Sequence, residues 1–119
     1  MNQARLFQEI IATYRHHEWQ LREVLLSTET EAELGPRAKE LFGDLTPRES
    51  AFDALWFARP SPGGREAWEL RLAAEQPYAL FEAFNAADLP EHREQVRQEM
   101  EARMAEAIGG VEEEDREAE

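Results

Sequence analysis

Apolar positions in this 119-residue chain follow two different periods. Near the start, Leu6, Phe7, Ile10, Ile11 and Tyr14 recur at helical spacing, with Arg5, Gln8, Glu9 and Arg15 on the other side. That stripe predicts an amphipathic helix over residues 3–15. The next stretch is ambiguous. Leu21, Val24 and Leu25 would continue the helical stripe, whereas Trp19, Leu21 and the Val24-Leu25-Leu26 run suit a strand. The run is short and ends at polar Ser27-Thr28, which favours a strand from Trp19 to Leu26. Thr28 with Glu31 forms a capping-box pattern, Gly35-Pro36 is a stop, and Arg37 to Phe42 adds a turn ending at Gly43. Residues 28–43 therefore read as a short helical connection.

From residue 45 the period changes. Thr46-Pro47-Arg48-Glu49 carries a helix-start signature, but Phe52 to Arg59 is aromatic-rich, apolar on both alternating faces and closed by Pro60. The expected result is a helical turn at most, followed by a strand. Ser61-Pro62-Gly63-Gly64 has the composition of a turn, and Trp68, Leu70 and Leu72 alternate beyond it. Gln76-Pro77 leads into a third strand, Tyr78 to Phe84. Asp88 as cap and Glu91 three residues on begin a last helix, whose stripe is Val96, Met100, Met104 and Ile108 and whose stop is Gly109-Gly110. The order predicts an α+β fold: an antiparallel sheet of three to four strands, with a meander over 52–84, packed with N-terminal and C-terminal amphipathic helices.

Charge adds a second feature. The chain has 26 acidic and 13 basic side chains, a net charge of −13. Residues 111–119, VEEEDREAE, supply −5 of it with one apolar side chain, Val111. They predict a disordered acidic tail beyond a single domain at 1–110. The remaining −8 would repel phosphates, so direct nucleic-acid binding is not expected. With no cysteine, disulfides, thiolate metal sites and thiol nucleophiles are excluded. The start lacks a leader pattern and no apolar run approaches a membrane span, which predicts a soluble cytoplasmic protein with no membrane partner.

Candidate chemistry is sparse. Seven of the eleven aromatic residues lie between Phe52 and Phe84. They are natural core residues of a small sheet, yet strands apolar on both faces exceed what two helices should cover. The excess, with Trp56 in it, predicts a homodimer interface or a partner groove. Arg59 and Arg65 flank Gly63-Gly64, whose backbone N–H groups could hold an anion, without the spacing of a phosphate-binding loop. Asp53, Glu69 and Glu82 fall inside expected strands. Glu82 would point inward with Leu80 and Phe84, or the strand takes the opposite phase with Phe81 inward, or Glu82 pairs with Arg71. Ser50, His92 and Asp53 make a triad only on paper, and His16-His17 with His92 has no metal spacing. No cofactor or metal is expected.

These observations predict a small acidic, non-enzymatic protein that binds another protein as an adaptor or chaperone-like module, probing its partner through Trp56, Arg59, Arg65 or Glu82. In size, charge and expected architecture the chain is similar to bacterial secretion chaperones, which are dimers with a sheet flanked by helices; no motif carries that likeness. The alternative is a small-ligand binder, or an enzyme using a strand carboxylate or arginine near the sheet.

Overall fold

The computed structural model describes residues 3–117, with side chains described for 3–109. The chain runs α1 (Gln3–His16), β1 (Gln20–Leu26), α2 (Thr28–Leu34), α3 (Arg37–Phe42), β2 (Arg48–Glu49), β3 (Ala54–Ser61), β4 (Arg65–Leu72), β5 (Ala79–Phe84) and α4 (Pro90–Glu117). It is an α+β fold, but its sheet is mixed and has five strands in the order β2-β1-β3-β4-β5. Backbone contacts group it into two compact units, Met1–Ala86 with the sheet and α1–α3, and Ala87–Glu119 with α4.

The antiparallel core of the sheet is the expected meander with β1 added. Trp56 pairs with Leu70 and Phe57 with Glu69, while Trp68 pairs with Glu82 and Leu70 with Leu80. Strand β1 joins β3 with an interruption: Leu21 faces Phe57, but Glu23 faces Trp56, so Arg22 is an extra residue in a bulge. Both Arg22 and Glu23 then fall on the Trp56 side, and Leu21 falls with Val24 and Leu26 on the other. That other face packs on α1, α2 and α3 through Phe7, Ile10, Ile11, Val24, Leu34, Phe42, Leu55 and Phe57. Phe7 meets Phe42 edge-on at 5.4 Å and ties α1 to α3.

Several local expectations need correction. Residues 46–49 form no helical turn; Arg48 and Glu49 pair in parallel with Leu25 and Leu26, and the Ser50 N–H donates to the Leu26 carbonyl. Residues 46–51 hold no large apolar side chain, so a helix there would have no stripe to bury, and the sheet edge satisfies the backbone instead. Pro60 does not end β3. Pairing with β1 begins at Ala58, so no neighbour needs the missing N–H, and Pro60 still pairs with Glu66. The hairpin turns at Pro62–Gly64, with Gly63 at φ 79 and Gly64 at φ 73. The cap of α2 is Ser27, whose hydroxyl accepts from the Thr30 N–H, one residue before the expected Thr28.

The unit made of α4 starts at Pro90, and its first turn is closed by the Arg93 N–H to the Leu89 carbonyl at 3.1 Å. Gly109-Gly110 does not stop it, since the helix runs to Glu117. Glycine in a helix costs about 1 kcal/mol and lacks the breaking power of proline, which costs about 3. Met100 and Met104 of the expected stripe are buried. The acidic tail expected at 111–119 lies outside the residues whose side chains are described.

Candidate binding site at the end of the first helix

Helix α1 ends in a tight reversal that sets two aromatic rings beside the sheet. The Glu18 N–H donates to the Arg15 carbonyl and the Trp19 N–H to the Tyr14 carbonyl, at 2.9 and 3.0 Å. Glu18 sits at φ 68. This is the Schellman arrangement, with Glu18 in the left-handed position that glycine usually takes. Its usual apolar contact is present too: Tyr14 and Trp19 lie 6.0 Å apart, edge to face.

The sheet supplies the rest. Phe57, Glu69 and Phe81 stand in one cross-strand row over β3, β4 and β5. Tyr14 stacks flat on Phe57 at 4.0 Å, and its hydroxyl donates to the Glu69 carboxylate. In the next row Arg59 stands beside Ala67 and Ala83, whose small side chains leave room over the strands. The Arg59 guanidinium lies 4.6 Å from the Trp19 ring centre and donates to the His17 carbonyl at 2.8 Å. A cation there satisfies a carbonyl beyond the helix end and complements the helix dipole. Phe81 meets Trp19 edge-on at 6.5 Å and is 56% exposed. Thr13, Tyr14, His17, Trp19, Arg59 and Glu69 line a shallow depression of about 400 Å³.

Burial, and then the carboxylate of Glu69, raise the Tyr14 hydroxyl pKa well above the ordinary tyrosine value. At neutral pH Tyr14 is therefore a hydrogen-bond donor and a poor general base. The cluster offers aromatic faces, one cation, one carboxylate and a fixed hydroxyl.

The residues singled out from the sequence are scattered. Of them, Arg59, Glu69 and His17 belong to this cluster. The place of Arg59 over Trp19 takes it from the hairpin end, where Arg65 stays exposed, so the two arginines do not form an anion site around Gly63-Gly64. Trp56 is fully buried, edge-on to Trp68 at 6.0 Å. It is a core residue. Glu82 shares the face of Trp68, Leu80 and Phe84 and is half-buried, so the phase with Phe81 inward does not occur. Arg71 is on the opposite face, which rules out its pairing with Glu82.

Asp53 is structural: it accepts from the Ser27 N–H at 2.8 Å, the Thr30 hydroxyl at 2.6 Å and the Gln3 amide at 3.2 Å. The Ser50 hydroxyl accepts from the Phe52 N–H, and His92 lies on α4. His16 and His17 meet edge-on at 5.3 Å, and no group of three His, Asp or Glu among the described residues is arranged to hold a metal.

The sequence contained one signal for the site. Once Trp68, Leu70 and Leu72 define one face of β4, Glu69 must point to the other, towards the predicted N-terminal helix. Comparison with protein-family models, with curated proteins and with solved structures gives no match for this chain.

Proposed function

We propose that this protein is a non-enzymatic binding module that recognises another polypeptide at the open edge of its sheet. The observation that carries the reading is Phe81: a large apolar side chain, 56% exposed, on the edge strand β5 and set against Trp19. Edge strands present unpaired backbone groups that can pair with an extended segment, and a neighbouring aromatic shelf supplies side-chain contact. Trp19 and Arg59 are residue types that dominate binding energy at protein interfaces, and Phe81 is of a type enriched there. The partner segment would lie along β5 with an apolar or aromatic residue against Phe81.

A second copy of the chain is one such partner. Tyr78 and Phe81, exposed on the β5 side, support twofold pairing there. A second reading, a small planar ligand, is favoured by the depression of about 400 Å³ beside Trp19 and Arg59, within the usual range for ligand sites.

Selection from a library of random displayed peptides tests the proposal. Extended peptides with an apolar residue should be enriched and should lose about tenfold or more in affinity to Phe81→Asp. Sedimentation of the wild type and the same variant reads self-association. Failure to enrich any peptide, with a monomer in both proteins, would overturn polypeptide recognition at β5.

A further inference from the structure

A second surface of the first unit differs from the rest of this acidic chain. Between α1 and α3 runs a groove of about 630 Å³, lined by Ala4, Arg5, Gln8, Ile11, Ala12, Arg15, Arg37, Glu40 and Leu41. Three guanidinium groups face one carboxylate there, in a protein whose net charge is −13. Arg5 is held by Glu9 at 3.1 Å, while Arg15 and Arg37 are exposed.

We propose that this groove docks an acidic amphipathic α-helix of a partner protein. Shape supports a helix. Ala4 and Ala12 stand about two turns apart along α1, with Gln8 between them, and the two alanines leave room at each end for the ridge of a second helix. From Ala4 to Arg15 the groove follows α1 for about 16 Å, or three turns. Its walls are fixed in advance by the Phe7–Phe42 contact beneath, so little ordering is needed on docking.

Charge selects the acidic class. Arg15 and Arg37, both exposed, line the groove together with Ile11, Ala12 and Leu41, a mixture that matches an apolar stripe flanked by glutamates. Glu40 breaks the symmetry and would set the helix direction by repelling an acid at that end. The surrounding negative field disfavours long polyphosphates and nucleic acids, which carry no apolar stripe to offset the repulsion.

The test uses the full chain and three probes: a designed helical peptide with an Ala/Leu stripe flanked by Glu, its Lys-for-Glu counterpart, and inorganic polyphosphate. Fluorescence anisotropy should show binding of the acidic helix alone, weakening with salt. Arg15→Glu with Arg37→Glu should reduce affinity about tenfold or more. Ala12→Trp should do the same with no change of charge, and Arg65→Glu should have no effect. Amide shifts in NMR spectra should cluster on α1 and α3, with circular dichroism confirming that each variant folds.

No binding of the acidic helix, binding unaffected by Ala12→Trp, or tighter binding of polyphosphate would each overturn the proposal. None of these results depends on β5.

Discussion

The Tyr14 hydroxyl donates to the Glu69 carboxylate, joining the last full turn of α1 to the middle of β4 across 55 residues of sequence. It is a charge-assisted bond between groups that lie partly out of water, and it holds the Tyr14 ring flat on Phe57. Helix and sheet are thereby fixed in the relation that forms the floor of the candidate site.

Burial of the Tyr14 hydroxyl, reinforced by that bond, makes stability fall at alkaline pH. Burial and Glu69 favour the neutral hydroxyl, so the folded-state pKa lies above that of the unfolded chain. The contribution is fully present below the unfolded value of about 10 and is lost as pH rises above it. Tyr14→Phe should cost about 1–3 kcal/mol at neutral pH and remove this part of the alkaline loss. Urea unfolding of both proteins at pH values spanning that range measures it. An identical pH dependence in the two would show that Tyr14 is not the group responsible.

Glu18 occupies a backbone region that disfavours any residue with a Cβ. Glu18→Gly relieves that strain and gives back part of the gain in unfolded-state entropy. It should stabilise the protein by about 0.5–1 kcal/mol, seen as a higher denaturation midpoint, while leaving Trp19 emission unchanged.

Asp53 is predicted to matter for folding and not for function. Asp53→Ala strips a partner from the Ser27 N–H, the Thr30 hydroxyl and the Gln3 amide at once. The expected cost is about 2–3 kcal/mol, with Asp53→Asn costing less because one acceptor remains. Denaturant titration ranks the pair. Equal loss in both would point to the charge rather than to the hydrogen bonds.

Trp68 and Phe81 should separate folding from recognition. Trp68 packs on Trp56 and is 9% exposed, so Trp68→Ala should cost on the order of 3–5 kcal/mol. Phe81→Ser changes a side chain that is mostly in water and should shift stability by about 0.5 kcal/mol or less. Thermal unfolding of the two variants is the check, and a large loss for Phe81→Ser would make β5 a packed face instead of an open one.

How far these arrangements could be read in advance depended on whether they rested on local periods or on register. The α1 stripe, the 65–72 alternation and the Pro/Gly turn are local patterns, and each names its element. Leu21 and Val24 looked helical because a bulge copies a helical period: with Arg22 inserted they share a face though three residues apart, and the shortness of the run is what rightly favoured a strand. Thr46-Pro47 failed as a helix start because the parallel pairing of Arg48 with Leu25 is non-local. The site was hidden for the same reason. Phe57, Glu69 and Phe81 become neighbours only through cross-strand register, and Tyr14 reaches them only after Glu18 adopts a conformation its side chain does not favour. Arg59 was visible as an unusual residue, but its use, capping a helix end across Trp19, was not.

The bulge at Arg22 also bears on how this protein can change length. Loss of one residue from 24 to 26 would turn part of β1 inside out, exchanging Val24 or Leu26 with a neighbour meant for the opposite side. Loss of Arg22 would do no such thing. Leu21 and Glu23 already occupy adjacent pairing positions, opposite Phe57 and Trp56, so the shortened strand would close into regular alternation with every apolar residue in its place. What would vanish is the guanidinium held 5.2 Å from the Trp68 ring centre and the local twist that a bulge imparts. Among the described strand pairings this is the one register shift, and so the one place in the sheet, at Arg22 or Glu23, where a deletion should be borne more easily than in the rest of the strand.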